Sequence, residues 1–336
     1  MQDNPILVEV TRGSLVESCH RGAVAIADAD GRVLLGVGDI ERPVYPRSAV
    51  KAMQALPLIE SGAADAFRLG DKELAIACAS HSGEEAHIDA VRSLLAKAGL
   101  DESQLACGAH WPIGERASRE LMRAGKSPTA IHNNCSGKHA GFLCVACAMD
   151  AAPTHYVDAA HPVQRLVRAT LEDVIGAVLS QDVCATDGCS APTWAMPLVA
   201  LARGFARFGT GLGLTPGRAK AAARLLEACA AQAWHVAGTG RFCTEVMQRF
   251  GARVFVKTGA EGVYCAALPE QGLGIALKCD DGAGRAAEVT LAATLARFLP
   301  KDTDRAALER FVRPTLSNWN GIAVGSIRPT DALTLY

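Results

Sequence analysis

The alternation of apolar and polar positions predicts strands at both ends of the chain. Near the start, short runs of apolar and β-branched residues are typical of strands and cover Leu7–Thr11, Ala23–Ala27 and Val33–Val37. Asp28-Ala-Asp-Gly31 separates the last two runs and predicts a hairpin turn. Strand character returns at Arg253–Lys257, Gly262–Leu268, Gly274–Lys278 and Gly321–Ile327. The spacing of the first three of these later runs predicts an antiparallel meander.

The middle of the chain is alanine-rich and has the periodicity of helices. Helices are predicted at Lys72–Ala79, Glu84–Ala98, Glu115–Arg123, Lys138–Met149, Pro162–Leu179, Pro192–Phe208, Pro216–Trp234 and Thr244–Phe250, and again at Arg285–Phe298. An earlier helical segment, Ala49–Ser61, contains Pro57, where we expect it to bend or break.

These elements predict an α/β fold of the α+β kind. Its antiparallel sheet is built from both chain termini, residues 1–60 and 240–336, and is flanked by helices. A helical lobe, about residues 61–239, is inserted between the two sheet-forming parts. We expect residues 1–336 to form a single catalytic unit.

Composition and charge narrow the classes of partner. The formal net charge is -1 and aromatic residues make up 5% of the chain, which disfavours binding to nucleic acid. No apolar stretch is long enough to span a bilayer, and the first residues lack the pattern of an export signal. We therefore expect a cytoplasmic protein without membrane association, whose twelve cysteines are free thiols.

Two motifs indicate serine–lysine chemistry. Ser48-Ala-Val-Lys51 places a serine one helical turn before a lysine, and a neutral amine there could take the serine proton. Alone the pair is weak, because a capping serine and a surface lysine give the same pattern. Lys257-Thr-Gly259 ends a predicted strand and favours the catalytic interpretation over the capping one. Serine–lysine enzymes of the penicillin-recognising type combine both motifs in this order.

A second serine lies in Ser80-His81-Ser82-Gly-Glu84, between an apolar run and a predicted helix. Ser82 can be explained as a helix cap, with Glu85 completing a capping box. That explanation leaves Ser80 and His81 unaccounted for. They lie where a second active-site hydroxyl is expected.

A third cluster is rich in metal ligands. Asn133-Asn-Cys135-Ser-Gly-Lys138-His139 places a thiol and an amine three residues apart, so that both can face one point. Asp187-Gly-Cys189 supplies another thiol and a carboxylate from a different loop. Two thiolates and a third donor would suit zinc with an open fourth position, but two unrelated loop cysteines remain the alternative interpretation.

Together these segments resemble the Rhizobium etli-type L-asparaginases, the asparaginase II family, along nearly the whole chain. The matching segments are Val8-Glu-Val-Thr-Arg-Gly13, Pro46-Arg-Ser-Ala-Val-Lys51, Cys78-Ala-Ser-His81, His132-Asn-Asn-Cys-Ser-Gly-Lys-His139, Asp187-Gly-Cys-Ser-Ala-Pro192, Gly238-Thr-Gly-Arg-Phe-Cys243 and Lys257-Thr-Gly-Ala-Glu-Gly262. The resemblance implies hydrolysis of L-asparagine to L-aspartate and ammonia on a serine β-lactamase/penicillin-binding-protein-like fold. It also implies a homodimer.

The resemblance assigns roles to individual residues. It pairs Ser48 with Lys51 and Ser80 with Lys257 at the catalytic centre, and we expect Ser48 to form the acyl-enzyme. It implies a Zn²⁺ that assists substrate binding rather than activating water, held by residues matching Cys135, Lys138 and Cys189. Residues expected to contact the substrate or to support its binding are Arg47, His81, Asn133, His139, Asp187 and Gly259.

Three alternatives differ from this hypothesis. A cytoplasmic β-lactam or amide hydrolase would use the same serine–lysine groups on another substrate. A glutaminase would differ only in the length of the amino acid that it accepts. A non-enzymatic zinc or thiol sensor built on Cys135 and Cys189 is more distant, because it gives no reason for Ser48 and Lys51 to match an enzyme motif.

Overall fold

The computed structural model describes residues 4–300 and 304–333. Its strands are β1 Ile6–Arg12, β2 Leu15–Asp28, β3 Val33–Val37, β4 Pro43–Val44, β5 Cys184–Thr186, β6 Pro192–Trp194, β7 Met196–Pro197, β8 Phe255–Thr258, β9 Val263–Leu268, β10 Leu273–Cys279, β11 Thr315–Ser317 and β12 Ala323–Pro329. Its α-helices are α1 Lys51–Gln54, α2 Leu56–Glu60, α3 Ala63–Ala66, α4 Asp71–Ala77, α5 Glu85–Lys97, α6 Glu115–Arg123, α7 Ser136–Ala148, α8 Pro162–Ile175, α9 Leu198–Thr210, α10 Pro216–Ala231, α11 Ala233–Val236, α12 Phe242–Phe250, α13 Gly284–Phe298 and α14 Glu309–Val312.

The chain divides into two compact units. The sheet unit comprises Met1–Ala49, Met196–Gly209 and Val256–Tyr336, and the helical unit comprises Val50–Ala195 and Thr210–Phe255. The fold is therefore a mixed α/β structure in which both chain ends supply the main sheet.

The main sheet of the described chain has eight strands, in the order β11-β12-β1-β2-β10-β9-β8, with β3 pairing β2. Neighbours such as β2 and β10 run antiparallel, with Ile26 opposite Ile275. Helix α9 packs on β10 so closely that a Cβ atom at Gly274 would lie 2.0 Å from the Ala202 carbonyl oxygen. Helix α13 packs against β9 and β10. The predicted hairpin at Asp28–Gly31 and the meander β8–β9–β10 are both confirmed.

In the helical unit, α7 is the central helix. It contacts α4, α5 and α8, and its residues from Ser136 to Ala146 are all buried. A helix that is apolar around most of its circumference must be covered on all sides, and α7 meets that requirement. Its first turn carries Lys138 and His139 into the protein interior.

Several sequence-based boundaries need correction. Pro192–Phe208 is not one helix: Pro192–Trp194 pairs with β5 as a hairpin, and the helix begins only at Leu198, directly after Pro197. Strand β2 begins at Leu15, eight residues before the predicted start at Ala23, because its first half pairs with β1. The segment Ala49–Ser61 is interrupted at Ala55, and Pro57 follows at the start of α2, where its missing N–H is tolerated.

Two further findings concern the whole described chain. Within residues 4–300 and 304–333, no helix combines the length and apolar character needed to cross a membrane. All twelve cysteines are free thiols.

Candidate active site

Lys51 is the most completely enclosed of the predicted catalytic groups in the helical unit. It opens α1 and is fully buried. Its Nζ donates to the carbonyl oxygen of Ala79 at 2.6 Å, to Ser80 Oγ at 3.1 Å and to the carbonyl oxygen of Asn134 at 3.3 Å. The fold thus brings two of the four predicted catalytic residues, Lys51 and Ser80, into direct contact.

This arrangement suits proton transfer. A neutral lysine amine has two N–H groups and one lone pair. The two carbonyl oxygens can take the two N–H groups, which leaves the lone pair for the hydroxyl hydrogen of Ser80. Lys51 can therefore receive a serine proton without losing its other contacts.

The loop that carries Ser80 is held by its backbone. It follows α4, and Ser80 N–H donates to the carbonyl oxygen of Val236 at 3.0 Å, while His81 N–H donates to that of Asn134 at 3.3 Å. Ser80 is itself buried. Its position depends on two distant chain segments rather than on local turn geometry.

The buried side chain of His81 also holds this loop in place. Gly83 N–H donates to Nδ1 at 3.1 Å, so the ring hydrogen is on Nε2, which donates to Ser136 Oγ at 2.9 Å. Burial lowers the pKa of His81 well below its ordinary value, and His87 and Lys51 lower it further. His81 is thus a neutral ring with both nitrogens used by the protein, and its predicted substrate contact stays a prediction.

Ser48 and Arg47 belong to the sheet unit, at the end of its first segment. Both are half-buried, and Arg47 has a left-handed φ of 51°. Ser48 lies in a 3₁₀ turn, Arg47–Val50, that runs directly into α1, so a continuous helical segment joins Ser48 to Lys51. The predicted helical spacing of the Ser-x-x-Lys motif is present.

The Lys-Thr-Gly motif lies in the same sheet unit. Lys257 is fully buried in β8, where its Nζ donates to the carbonyl oxygen of Thr258 at 3.0 Å. A Cβ atom at Gly259 would lie 2.6 Å from the carbonyl oxygen of Pro46. Glycine is needed there because Gly259 passes directly beside Pro46, two residues before Ser48. The fold therefore places both motifs of the sheet unit next to each other.

Asn133 shapes the entry to α7. Its Oδ1 accepts from Cys135 N–H at 2.8 Å, and its Nδ2 donates to the carbonyl oxygens of Cys107 at 2.8 Å and Gly108 at 3.1 Å. These bonds fix Cys135 at the helix start. The substrate contact predicted for Asn133 stays a prediction.

The predicted metal ligands converge in the helical unit, and we call Cys135, Lys138 and Cys189 the sulfur corner. Lys138 Nζ lies 3.0 Å from Cys189 Sγ, and the thiols of Cys135 and Cys189 hydrogen-bond each other. Cys189 comes from the turn between β5 and β6, where Asp187 N–H donates to the carbonyl oxygen of Ala191 at 2.9 Å. Asp187 Oδ2 lies 3.6 Å from Cys189 Sγ.

The charges in the sulfur corner are coupled. A hydrogen bond from Cys189 lowers the pKa of the Cys135 thiol, and Lys51 and Lys138 lower it further against the effect of burial. The same hydrogen bond, with burial, raises the pKa of Cys189. Burial alone would lower the pKa of Lys138, but the two sulfur atoms outweigh it and raise that pKa. In the sulfur corner, negative charge is thus favoured on Cys135 and positive charge on Lys138.

The donor set fits a zinc ion by kind. Two sulfur atoms and one amine nitrogen meet at one place, and Asp187 lies behind Cys189 as a second-layer partner. In the part of the chain that the structure describes, no three side chains of the His, Cys, Asp or Glu types are grouped to hold a metal ion. Any metal held here would thus need Lys138 as its third protein ligand, and the amine would have to lose a proton to supply its lone pair.

His139 follows Lys138 and is fully buried. Its Nδ1 lies 2.7 Å from the hydroxyl of Tyr156, which accepts from Ala106 N–H at 2.8 Å. The tyrosine hydrogen therefore goes to Nδ1. Burial, Lys138 and Lys51 lower the pKa of His139, which keeps its ring neutral.

Sequence reasoning missed the groups that hold these side chains. The carbonyl oxygens of Ala79 and Asn134 carry no residue-type signal, because every residue has one. Tyr156 and Ser136, which orient His139 and His81 respectively, are ordinary core residues by pattern. Ser136 at least lies inside a segment that the sequence singled out.

Known proteins resemble this chain over most of its length. A family model described as L-asparaginase II matches residues 8–329. No curated protein matches. A crystal structure of Mglu in its tris and glutamate form shares 15% identity with a TM-score of 0.38, over 90% of this chain and 65% of the Mglu chain. A beta-lactamase from Mycobacterium bovis shares 15% identity with a TM-score of 0.40, over 82% of this chain and 94% of its own. The chain thus matches less than two thirds of the length of that Mglu chain.

Proposed function

The chain belongs to the L-asparaginase II family, and on that premise we propose that it is an amidohydrolase that converts L-asparagine to L-aspartate and ammonia. The observation that best supports this chemistry is the enclosed Lys51 amine, 3.1 Å from Ser80 Oγ and bound to two carbonyl oxygens. We further propose that the protein is of the Rhizobium etli type within the family, on the motifs quoted above.

In the proposed reaction, Lys51 removes the proton of Ser48, and the serine oxygen bonds to the side-chain amide carbon. The lysine then passes that proton to the amide nitrogen as the carbon–nitrogen bond breaks and ammonia leaves. Lys51 then takes a proton from a water molecule, which hydrolyses the resulting β-aspartyl ester and releases L-aspartate and Ser48. Ser80 and Lys257 relay protons, and backbone N–H groups, including that of Ser48, stabilise the oxyanion.

Ser80 is the second candidate for the acylated serine. Its direct hydrogen bond to Lys51 is the observation that favours it. Intact-mass trapping with substrate on Ser48→Ala and Ser80→Ala variants decides between the two serines. An adduct that persists in the Ser80→Ala protein and is lost in the Ser48→Ala protein supports Ser48. The reverse pattern assigns the acyl-enzyme to Ser80.

We also propose that the sulfur corner binds Zn²⁺ through Cys135, Lys138 and Cys189. A bound zinc ion would supply a positive charge and an open coordination position for the α-amino or α-carboxylate end of the amino acid. Asp187 would hold Cys189 in place. We propose that the substrate or the residues around it contact Arg47, His139 and Gly259. His81 and Asn133 are proposed to hold in place the chain segments that contact the substrate.

Substrate selectivity separates the remaining hypotheses. Ammonia release from L-asparagine and from L-glutamine should be compared with the colour change of a chromogenic β-lactam in one assay series. We expect L-asparagine to be preferred. Preference for L-glutamine would make the protein a glutaminase, β-lactam turnover would favour the lactam hydrolase, and no turnover of any of them would leave the zinc or thiol sensor. We further propose a homodimer in the cytoplasm, where free thiols such as the twelve found here persist.

A further inference from the structure

One loop of the helical unit is fixed to both chain segments that contact Lys51. It precedes α6 and runs from Cys107 to Gly114, and we call it the histidine loop. At its start the carbonyl oxygen of Cys107 accepts from Asn133 Nδ2 at 2.8 Å. At its end Gly114 N–H donates to the carbonyl oxygen of Ser82 at 2.8 Å. The histidine loop therefore has a fixed position beside the catalytic groups of this unit.

His110 is the side chain of this loop that reaches Asn134. Its Nδ1 donates to the carbonyl oxygen of Trp111 at 2.6 Å, so that nitrogen carries a ring hydrogen. Its Nε2 lies 3.0 Å from the backbone nitrogen of Asn134 and 3.2 Å from Asn134 Oδ1. A neutral ring accepts the backbone N–H, and a protonated ring donates to Oδ1. In either form, His110 holds Asn134.

Asn134 connects this contact to the predicted catalytic lysine. Its carbonyl oxygen accepts from Lys51 Nζ at 3.3 Å and from His81 N–H at 3.3 Å. The second carbonyl oxygen that Lys51 contacts is that of Ala79, whose own N–H bonds back to the end of α4. The position of one acceptor is therefore set by a helix, whereas the other belongs to a residue that the side chain of His110 holds.

We propose that His110 is a positioning residue for Lys51, an inference that rests on the proposed amide hydrolysis. The two carbonyl oxygens direct the N–H groups of a neutral Lys51 amine and so decide where its lone pair points. Without the imidazole ring, Asn134 would lose a bond that fixes its backbone, and the amine would meet the serine hydroxyl at a poorer angle. A displacement of about 1 Å at a reacting group can cost roughly 100-fold in rate.

Steady-state kinetics of His110 variants test the proposal. His110→Leu should lower kcat for ammonia release from L-asparagine by roughly 10–100-fold, because the base is misplaced. It should change KM by less than about threefold, because the groups proposed to bind the substrate are untouched. His110→Gln should restore kcat to within about threefold of the wild type, since a glutamine amide offers both an acceptor and a donor to Asn134.

His161→Leu is the matched control. His161 Nδ1 also accepts a backbone N–H, from Val163 at 3.2 Å, but at the start of α8 and not on Asn134. We expect both leucine variants to unfold at lower urea concentrations than the wild type, and only His110→Leu to lose kcat. An unchanged kcat in His110→Leu, or an equal loss in the two variants, would make His110 an ordinary structural anchor and overturn the proposal.

Covalent labelling separates this proposal from the proposed function. A fluorophosphonate probe needs no recognition of asparagine: the serine oxygen bonds to phosphorus, fluoride leaves, and the serine proton goes to the base. If no substrate releases ammonia, the proposed function fails alone, and labelling followed by intact mass should still be slower in His110→Leu and restored in His110→Gln. Equal labelling rates in the wild type and His110→Leu, or an unlabelled wild type, would overturn the role of His110.

Discussion

Lys51 and Lys138 are both buried in the helical unit, yet their surroundings differ. Lys51 donates to two carbonyl oxygens and to the hydroxyl of Ser80, whereas Lys138 lies 3.0 Å from the sulfur of Cys189. The three oxygen atoms that Lys51 contacts carry no formal charge. A thiolate neighbour favours the ammonium form, which is why the pKa of Lys138 is raised in spite of burial.

The two lysines also share a neighbour. Both lower the pKa of Cys135, which lies at the start of α7. Lys51 and Ser80 are thus adjacent to the sulfur corner within the helical unit, since Lys51 also donates to the carbonyl oxygen of Asn134, the residue before Cys135. The comparison teaches that burial alone does not define the surroundings of an amine, since Lys51 faces uncharged oxygen atoms whereas Lys138 faces sulfur.

The largest loss of activity should come from replacing Lys51. Lys51→Met keeps the length of the side chain but removes the base, so we expect kcat for ammonia release to fall by about 10²–10⁴-fold. Lys138→Met should act mainly on KM and reduce kcat much less, because Lys138 is assigned to binding. Equal losses of kcat in both variants would break the distinction between the two lysines.

His87 is another buried base, and it tests whether burial keeps a base neutral. His87 is fully buried, stacks on Trp234 at 4.0 Å, and burial lowers its pKa to about 4. In the unfolded chain its pKa is near 6.5, so the stability that depends on neutral His87 is complete above that pH. It is lost as the pH falls from 6.5 toward 4, by about 3 kcal/mol.

Urea unfolding at several pH values measures this loss. His87→Phe keeps the stacking on Trp234 and should unfold with a shallower pH dependence below 6.5 than the wild type. His155→Phe is the control for the substitution itself, because the side chain of His155 is 82% exposed and its exchange should leave the urea midpoint at pH 7 close to the wild-type value. An unchanged slope in His87→Phe would show that His87 does not titrate as its surroundings predict.

The smallest expected effect concerns the second layer of the sulfur corner. Asp187→Asn removes the charge that lies 3.6 Å from Cys189 Sγ and should weaken zinc binding by about 10–100-fold, as measured by competition with a chromogenic chelator. Asp182→Asn, at an exposed position in the same unit, should leave zinc affinity unaltered. If neither variant changes the zinc affinity, Asp187 has no part in orienting the zinc ligands. The assignment of Lys138 to metal binding would then lose this support.

Much of this arrangement was predictable from local pattern. The strands at both chain ends, the hairpin after β2 and the break near Pro57 follow from periodicity and turn residues. The convergence of Cys135 and Lys138 follows from their spacing on one helix face. The site itself required the motifs to be compared with a family, because Ser48 and Lys51 alone carry little information.

Contacts between distant segments could not be predicted. The spacing of Ser48 and Lys51 indicates a shared helix face, but the contact of Lys51 with Ser80 depends on the loop after α4 meeting α1. The helix predicted from Pro192 failed for a related reason. Pairing with β5 decides the conformation of Pro192–Trp194, and no local propensity reports on a partner strand.

The left-handed backbone of Arg47 has a consequence for how this protein can change. A non-glycine residue with φ near 51° costs about 1–3 kcal/mol, a cost that persists only where the surroundings enforce it. Glycine at this position would relieve the strain and make the fold more robust to heat. It would also remove the guanidinium group immediately before the candidate nucleophile, so a gain in thermal tolerance at position 47 would come with the loss of the proposed substrate contact of Arg47.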